Sequence, residues 1–184
     1  GKSSIEIKYQ SPLKSVLPST EVTIPEMLYQ KNIPTAFFSG GPPILRRANL
    51  HQGFELFDDF FKPTIQRTFR PFSHLIPQYQ AWLKDRSPKG ELSIFYISDL
   101  LYRDFQTFDD FGKARNLSFE SQLEELDENL SHFFEFLKKE KLFDSSYIIL
   151  MGLNGPVHVA RDSELTETNV FSDRAQVALL VKPP

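Results

Sequence analysis

The chain contains no cysteine. That removes disulfides, thiolate metal sites and a cysteine nucleophile together, and leaves the redox compartment undetermined. No apolar run approaches the roughly 20 residues that a membrane-spanning helix needs, and no signal-like segment opens the sequence. Basic residues are not in excess. The net charge is −3, from 21 Lys and Arg against 24 Asp and Glu, which argues against a nucleic-acid-binding face. Internal repeats and low-complexity tracts are absent too, which excludes a solenoid.

What is present is the composition of a globular domain, 40% hydrophobic and 24% charged. The length suits a single domain over residues 1–184, or a fragment of one, with 1–20 as an extended lead-in. A chain near 150 residues already buries about 70% of its unfolded surface. Eighteen Phe are unusual. Phe fills a core without a polar tip to satisfy, so these read as packing rather than ligand stacking.

Along the chain, Thr23-Ile24-Pro25-Glu26 has the form of a capping box. It predicts a short helix to about Lys31, with Ile24, Met27 and Leu28 on its apolar side and Asn32 as its stop. Ile33–Ser39 reads as a buried strand ended by Gly40-Gly41-Pro42-Pro43. Residues 50–59 read as an aromatic, acidic loop with a short strand. The helical pattern of Thr64–Lys84 is interrupted by Pro71 and Pro77, so a helix through Tyr79, Trp82 and Leu83 with an irregular start is expected. Leu92–Ser98 is the next strand and 99–112 a second aromatic, acidic loop. The clearest helix is Ser118–Lys139, where Phe119, Leu123, Leu126, Leu130, Phe133 and Leu137 recur in steps of four and three. Its acidic start and lysine-rich end match the helix dipole. Tyr147–Met151 and Gln176–Val181 are the last strands.

This order implies an α/β fold, layered as helix, sheet and helix around a largely parallel central sheet. Ligands bind such sheets at the strand C-terminal ends, here the loops 39–45, 98–112 and 152–162. The most telling stretch runs from Ser146 to Gly155: a buried strand, Tyr147–Met151, delivers Gly152-Leu153-Asn154-Gly155 to that edge. Its chemistry is poor. Leu153 binds neither a metal nor a proton, and Asn154 is a weak neutral ligand. Candidate cleft-lining residues are Ser39, Asp99, Asn154 and His158; Ser39 also reads as a turn-capping serine and His158 as a solvated loop histidine. His51, His74 and His132 read as packing or surface. Asp58-Asp59 and Asp109-Asp110 lack convergent partners and read as solvated loop acids.

Four groups of segments together resemble the sulfatase family of the alkaline-phosphatase-like superfamily. Ile33-Pro34-Thr35-Ala36-Phe37-Phe38-Ser39 and Leu50-His51-Gln52-Gly53-Phe54 look like its "Gly-Tyr-x-Thr-Ala" strand and "Gly-Leu-x-Gln-Gly-Phe" segment. Ser93 to Tyr102 is similar to the strand and loop that often end in "Asp-Pro-His-x-Pro-Tyr". Leu126-Asp127-Glu128-Asn129-Leu130, continuing through Lys141 to Ile149, resembles the "Val-Asp-x-x-Leu" helix, the "Gly-Leu-x-Asp-Asn-Thr" turn and the strand after it. Arg174 to Pro183 looks like "Arg-Val-Pro-Leu-Ile-Ile-x-x-Pro". The match runs from about residue 18 to the end. Phosphoethanolamine and lipoteichoic-acid transferases share the superfamily and some of these features.

The resemblance implies hydrolysis of sulfate or phosphate esters by a nucleophile and a carboxylate-held divalent cation such as calcium. The departures cut against it. Where the family writes "Ser-Asp-His-Gly", this chain has Gly152-Leu153-Asn154-Gly155, which puts Leu153 and Asn154 at the family's metal positions and removes a carboxylate the cation requires. The loop Ser98-Asp99-Leu100-Leu101-Tyr102 has no substrate-contacting His. The family's nucleophile motif and Asp-Asp pair lie upstream of the first segment matched here. The chain is therefore read as an incomplete, degenerate sulfatase-like domain, inactive as it stands, with no catalytic residue, no metal ligand and no cofactor expected, in a binding or structural role.

Two other readings stay open. The chain is part of an active hydrolase or transferase whose nucleophile and ligands lie outside it, or it is a Phe-rich interaction module whose loops 54–61 and 102–111 dock a partner. An incomplete sheet also implies a homo-oligomer, a protein partner at the exposed sheet edge, or a longer polypeptide. Periplasmic or extracellular localisation is what the resemblance implies.

Overall fold

The computed structural model describes residues 16–42, 44–60, 69–84, 90–100, 107–108, 114–115, 118–153 and 177–184. They fall into two compact units, 1–130 and 131–184.

The first unit opens with α1 (Ile24–Tyr29), whose capping box forms as expected. Thr23 N–H donates to Glu26 Oε2 (2.8 Å), and Thr23 Oγ1 accepts from Glu26 N–H (3.3 Å). Asn32 stops the helix with φ 55°, returning Ile33 N–H to Leu28 O (3.0 Å). The apolar side is not the expected one: Ile24 and Met27 are exposed, Pro25 is buried and Leu28 half-buried. The cause is a clamp on the first turn. Thr23 Oγ1 donates to Gln52 O (2.9 Å) and Gln52 Nε2 to Glu26 Oε2 (2.9 Å). The Gln52 amide, then the Thr23 N–H, hold the Glu26 carboxyl below its ordinary value. Gly53 adopts φ +82°, and a Cβ there would lie 2.4 Å from Glu26 N.

Three strands, β1 (Thr35–Ser39), β2 (Leu56–Asp58) and β3 (Leu92–Tyr96), form a parallel sheet in the order β2-β1-β3. Central β1 buries Thr35, Ala36, Phe38 and Ser39. Its side chains alternate between faces. Phe38 stacks on Phe95 (5.0 Å) and meets Tyr79 edge-on (5.9 Å), while Phe37 stacks on Phe57 (4.9 Å) and meets Phe54 (5.6 Å). Phe57 is buried and Phe54 half-buried, so those two pack the fold and do not serve a docking loop. Phe60 remains exposed. Of the expected loop 102–111, only the backbone of Thr107 and Phe108 is described.

Tyr79 lies on α2 (Phe72–Lys84), which continues through Pro77. Pro77 is on the exposed side, where water can serve the carbonyl that its missing N–H leaves free. A small antiparallel pair, β4 (Thr107–Phe108) and β5 (Ala114–Arg115), precedes α3 (Phe119–Lys139). Ser118 Oγ caps α3 by accepting Ser121 N–H (3.2 Å). The buried side of α3 carries Gln122, Leu126, Phe133 and Leu137, and Leu123 faces solvent, one position off the expected stripe.

In the second unit α3 ends at Lys139, and in the turn after it Lys141 adopts φ 60° as Leu142 N–H returns to Leu137 O (2.8 Å). Then β6 (Ile148–Met151) pairs antiparallel with β7 (Leu179–Lys182), in the register Ile149↔Val181 and Met151↔Leu179. Here the expectation of a buried strand fails. Ile149, Leu150, Met151, Leu179, Leu180 and Val181 are all exposed. Among the described residues each strand pairs only with the other. The α/β class with a parallel sheet holds, but β1, β2 and β3 supply that sheet. No helix among the described residues is long and apolar enough to cross a membrane.

Candidate functional site

The C-terminal ends of the parallel strands converge on Gly40. Its N–H donates to Tyr96 O (2.8 Å), and its carbonyl accepts from Arg70 N–H (2.7 Å) and Ser98 Oγ (3.1 Å). A Cβ at this position would lie 2.6 Å from Tyr96 O and 2.7 Å from Ser98 Oγ, so only glycine lets the three segments approach. Ser39, fully buried, donates its hydroxyl to Ile44 O (2.7 Å) and accepts Gly41 N–H (3.1 Å). It braces the turn after β1. Both serine hydroxyls at this edge are thus bonded to backbone.

Asp99 reaches this edge from the end of β3 and serves α2. Its two carboxylate oxygens accept Phe72 N–H at 3.1 and 3.0 Å, capping the helix from 27 residues away. Burial pushes its carboxyl up to about 6, opposed by the Phe72 N–H and assisted by Glu125 on α3. Tyr79 donates to Glu91 (2.9 Å), and burial first, then that carboxylate, push its hydroxyl upward as well.

Asp58 and Asp59 are not solvated loop acids. Asp58 Oδ2, buried, faces Arg70 Nη1 at 2.9 Å as an ion pair rather than as the acceptor of a well-directed hydrogen bond. Asp59 accepts Arg46 N–H (2.6 Å), and the Arg46 side chain lies 3.5 Å from its other oxygen. Around them lies a shallow depression of about 330 Å³, lined by Arg46, Phe57, Asp58, Asp59, Phe60 and Gln78. It contains two acids, each already answered by an arginine.

Of the candidates read from the sequence, Ser39 and Asp99 meet at one sheet edge. Leu153, 62% exposed, follows β6 in the second unit. Asn154 and His158 lie outside the described residues, as do Asp109 and Asp110. Arg70 was missed. An arginine between Phe69 and Pro71 gives no local hint that its partners lie 10 to 31 residues away.

No family model matches the sequence, and no curated protein matches it. Solved structures do. The lipoteichoic acid synthase LtaP from Listeria monocytogenes is 15% identical with a TM-score of 0.59, over 92% of this chain and 47% of that one. A protein in the alkaline phosphatase superfamily from Vibrio parahaemolyticus is 16% identical with a TM-score of 0.58, over 95% and 45%. The chain therefore has an alkaline-phosphatase-like fold and spans less than half the length of these two relatives in structure.

That fold implies a divalent cation, and the described residues do not suit one. Leu153, which the sequence resemblance sets at a metal position, carries an isobutyl group and no oxygen donor. The acids at the sheet edge are engaged, Asp58 and Asp59 by arginines and Asp99 by a helix N-terminus. No three His, Asp or Glu converge among the described residues.

Proposed function

We propose that this chain is a non-catalytic, sulfatase-like domain that binds another polypeptide through its β6–β7 ribbon. One observation carries the reading: Ile149, Leu150 and Met151 on β6, and Leu153 just after it, are exposed hydrocarbon. The same stretch that lacks a metal ligand offers an apolar surface. Ile149, Met151, Leu179 and Val181 share one face by alternation and register, and each is more than half exposed. A two-stranded ribbon, apolar on both faces, is marginal alone and is stabilised by a covering layer. The partner is a second apolar layer from another polypeptide, a second copy in the case of the isolated chain.

Titration calorimetry with Ca²⁺, Mg²⁺, Mn²⁺ and Zn²⁺, and turnover assays with aryl sulfates and phosphates, test the non-catalytic half. They should be run on this chain and on any longer polypeptide that carries it. No binding and no turnover are expected; micromolar cation binding or measurable hydrolysis overturns the reading in favour of an ester hydrolase. Light scattering tests the other half. Concentration-dependent association of the isolated chain is expected, and a monodisperse, highly stable monomer counts against a missing layer.

A further inference from the structure

Arg70 is buried, and its guanidinium is surrounded by oxygens from two strand ends. Nε donates to Ser39 O (3.2 Å) and Nη2 to the same carbonyl (2.8 Å). Nη2 also donates to Asp58 O (3.1 Å) and Nη1 to Phe60 O (3.4 Å), while Nη1 faces the Asp58 carboxylate at 2.9 Å. A guanidinium has five N–H groups in a planar fork, and three carbonyls and one carboxylate meet them. The cradle is shaped by backbone, because Ser39 ends β1 and Asp58 ends β2. We infer that the C-terminal ends of β1 and β2 form a cation site whose ligand class is a guanidinium, and that Arg70 fills it as the chain's own ligand.

The chemistry favours this occupant over a metal ion. Carbonyls spread over three residues match a flat, branched donor, and a divalent cation brought to Asp58 meets a positive charge already 2.9 Å from its carboxylate. The consequence is an edge organised by an internal cation. Arg70 N–H also donates to Gly40 O, so the same residue ties the turn after β1 to the start of α2. A chain that bound a partner and a chain that cleaved an ester would carry the same cradle.

Chemical rescue tests it. Arg70→Ala should lower the thermal midpoint by about 10 °C, because it leaves a buried carboxylate without its counter-charge. Millimolar methylguanidinium should raise the midpoint of that variant and not of the unaltered protein, and the neutral isostere N-methylurea should raise neither. A midpoint within about 2 °C of the parent, or the same response to both compounds, overturns the proposal. Should Arg70→Ala fail to fold, two measurements still decide. Arg70→Lys, whose ammonium lacks the planar fork, should fold with an intermediate loss; parental stability would mean that the site needs charge alone. In the unaltered protein the Arg70 Nε–H should exchange far more slowly than that of exposed Arg47, and equal exchange overturns the cradle.

Discussion

The strand ends of the first unit and the ribbon of the second carry similar hydrophobic sequence but opposite solvation. At the β1–β3 edge, hydroxyls, carbonyls and charges are matched inside the unit: Ser39 to Ile44, Ser98 to Gly40, Asp99 to Phe72, Arg70 to Asp58. On the β6–β7 ribbon, aliphatic side chains on both faces lie in water. A buried polar group without a partner is costly, so the first region had to be completed locally. Exposed hydrocarbon costs less per group and can wait for a partner. The first region is therefore matched within its own unit, and the second is where the proposed partner layer would bury the most hydrocarbon.

Substitutions can break that contrast, beginning with the largest effect. Phe38→Ala removes the ring that meets Phe95, Tyr79 and Trp82. It should cost about 4 kcal/mol in urea unfolding. A loss below about 1 kcal/mol would mean that the first unit's core is not formed by this sheet. Gly40→Ala comes next. Its added methyl would sit 2.6 Å from a carbonyl oxygen and should cost about 3 kcal/mol by overpacking. A neutral outcome would show that the three segments at this edge are looser than described.

Asp99 gives a pH signature. Its carboxyl moves from an ordinary 3.8 up to about 6, so the folded protein binds more protons than the unfolded one between those values. Stability from this group is fully present below about pH 4 and is lost as pH rises through about 6. The loss is at most about 3 kcal/mol. Asp99→Asn keeps an oxygen for Phe72 N–H and does not titrate. It should match the parent near pH 4 and exceed it at pH 7, measured as the difference in urea midpoint at each pH. A parent that gains on the variant as pH rises would reverse the sign and identify the carboxylate as the favoured form. Smaller again is Thr23→Ala, which loses the α1 cap and should cost about 1 kcal/mol.

How much of this was legible follows from the range of each interaction. The capping box at Thr23 and Glu26, the αL stop at Asn32 and the cap-to-lysine span of α3 are local, and the sequence shows them. The parallel sheet was legible as a class through its apolar runs and Gly40. What depended on distant partners was not. Asp99 caps a helix that begins 27 residues earlier, Arg70 finds Ser39 31 residues away, and Gln52 clamps Glu26 across 26 residues. The register of the α3 stripe failed at Leu123 because a period of 3.6 lets either 122 or 123 face inward. The burial of β6 was misjudged for a further reason. Apolar composition marks a strand that burial would stabilise, and does not by itself supply the layer that buries it.

The smallest expected effect sharpens the contrast most. Ile149→Lys together with Met151→Lys places two charges on one face of the ribbon, beside Val181 and Leu179. Because those positions are exposed in this chain, its unfolding free energy should change by less than about 0.5 kcal/mol. Association, by contrast, should be lost, since a partner layer would have to desolvate both ammonium groups. Analytical ultracentrifugation and urea unfolding of the same variant separate the two quantities. If stability falls by several kcal/mol as in Phe38→Ala, the ribbon is already covered within this chain and the two regions are alike. If stability and association are both unchanged, the apolar face is not the interface. Only retained stability with lost association keeps the contrast, because hydrocarbon that contributes nothing to folding alone still contributes to binding when a second layer excludes water from it.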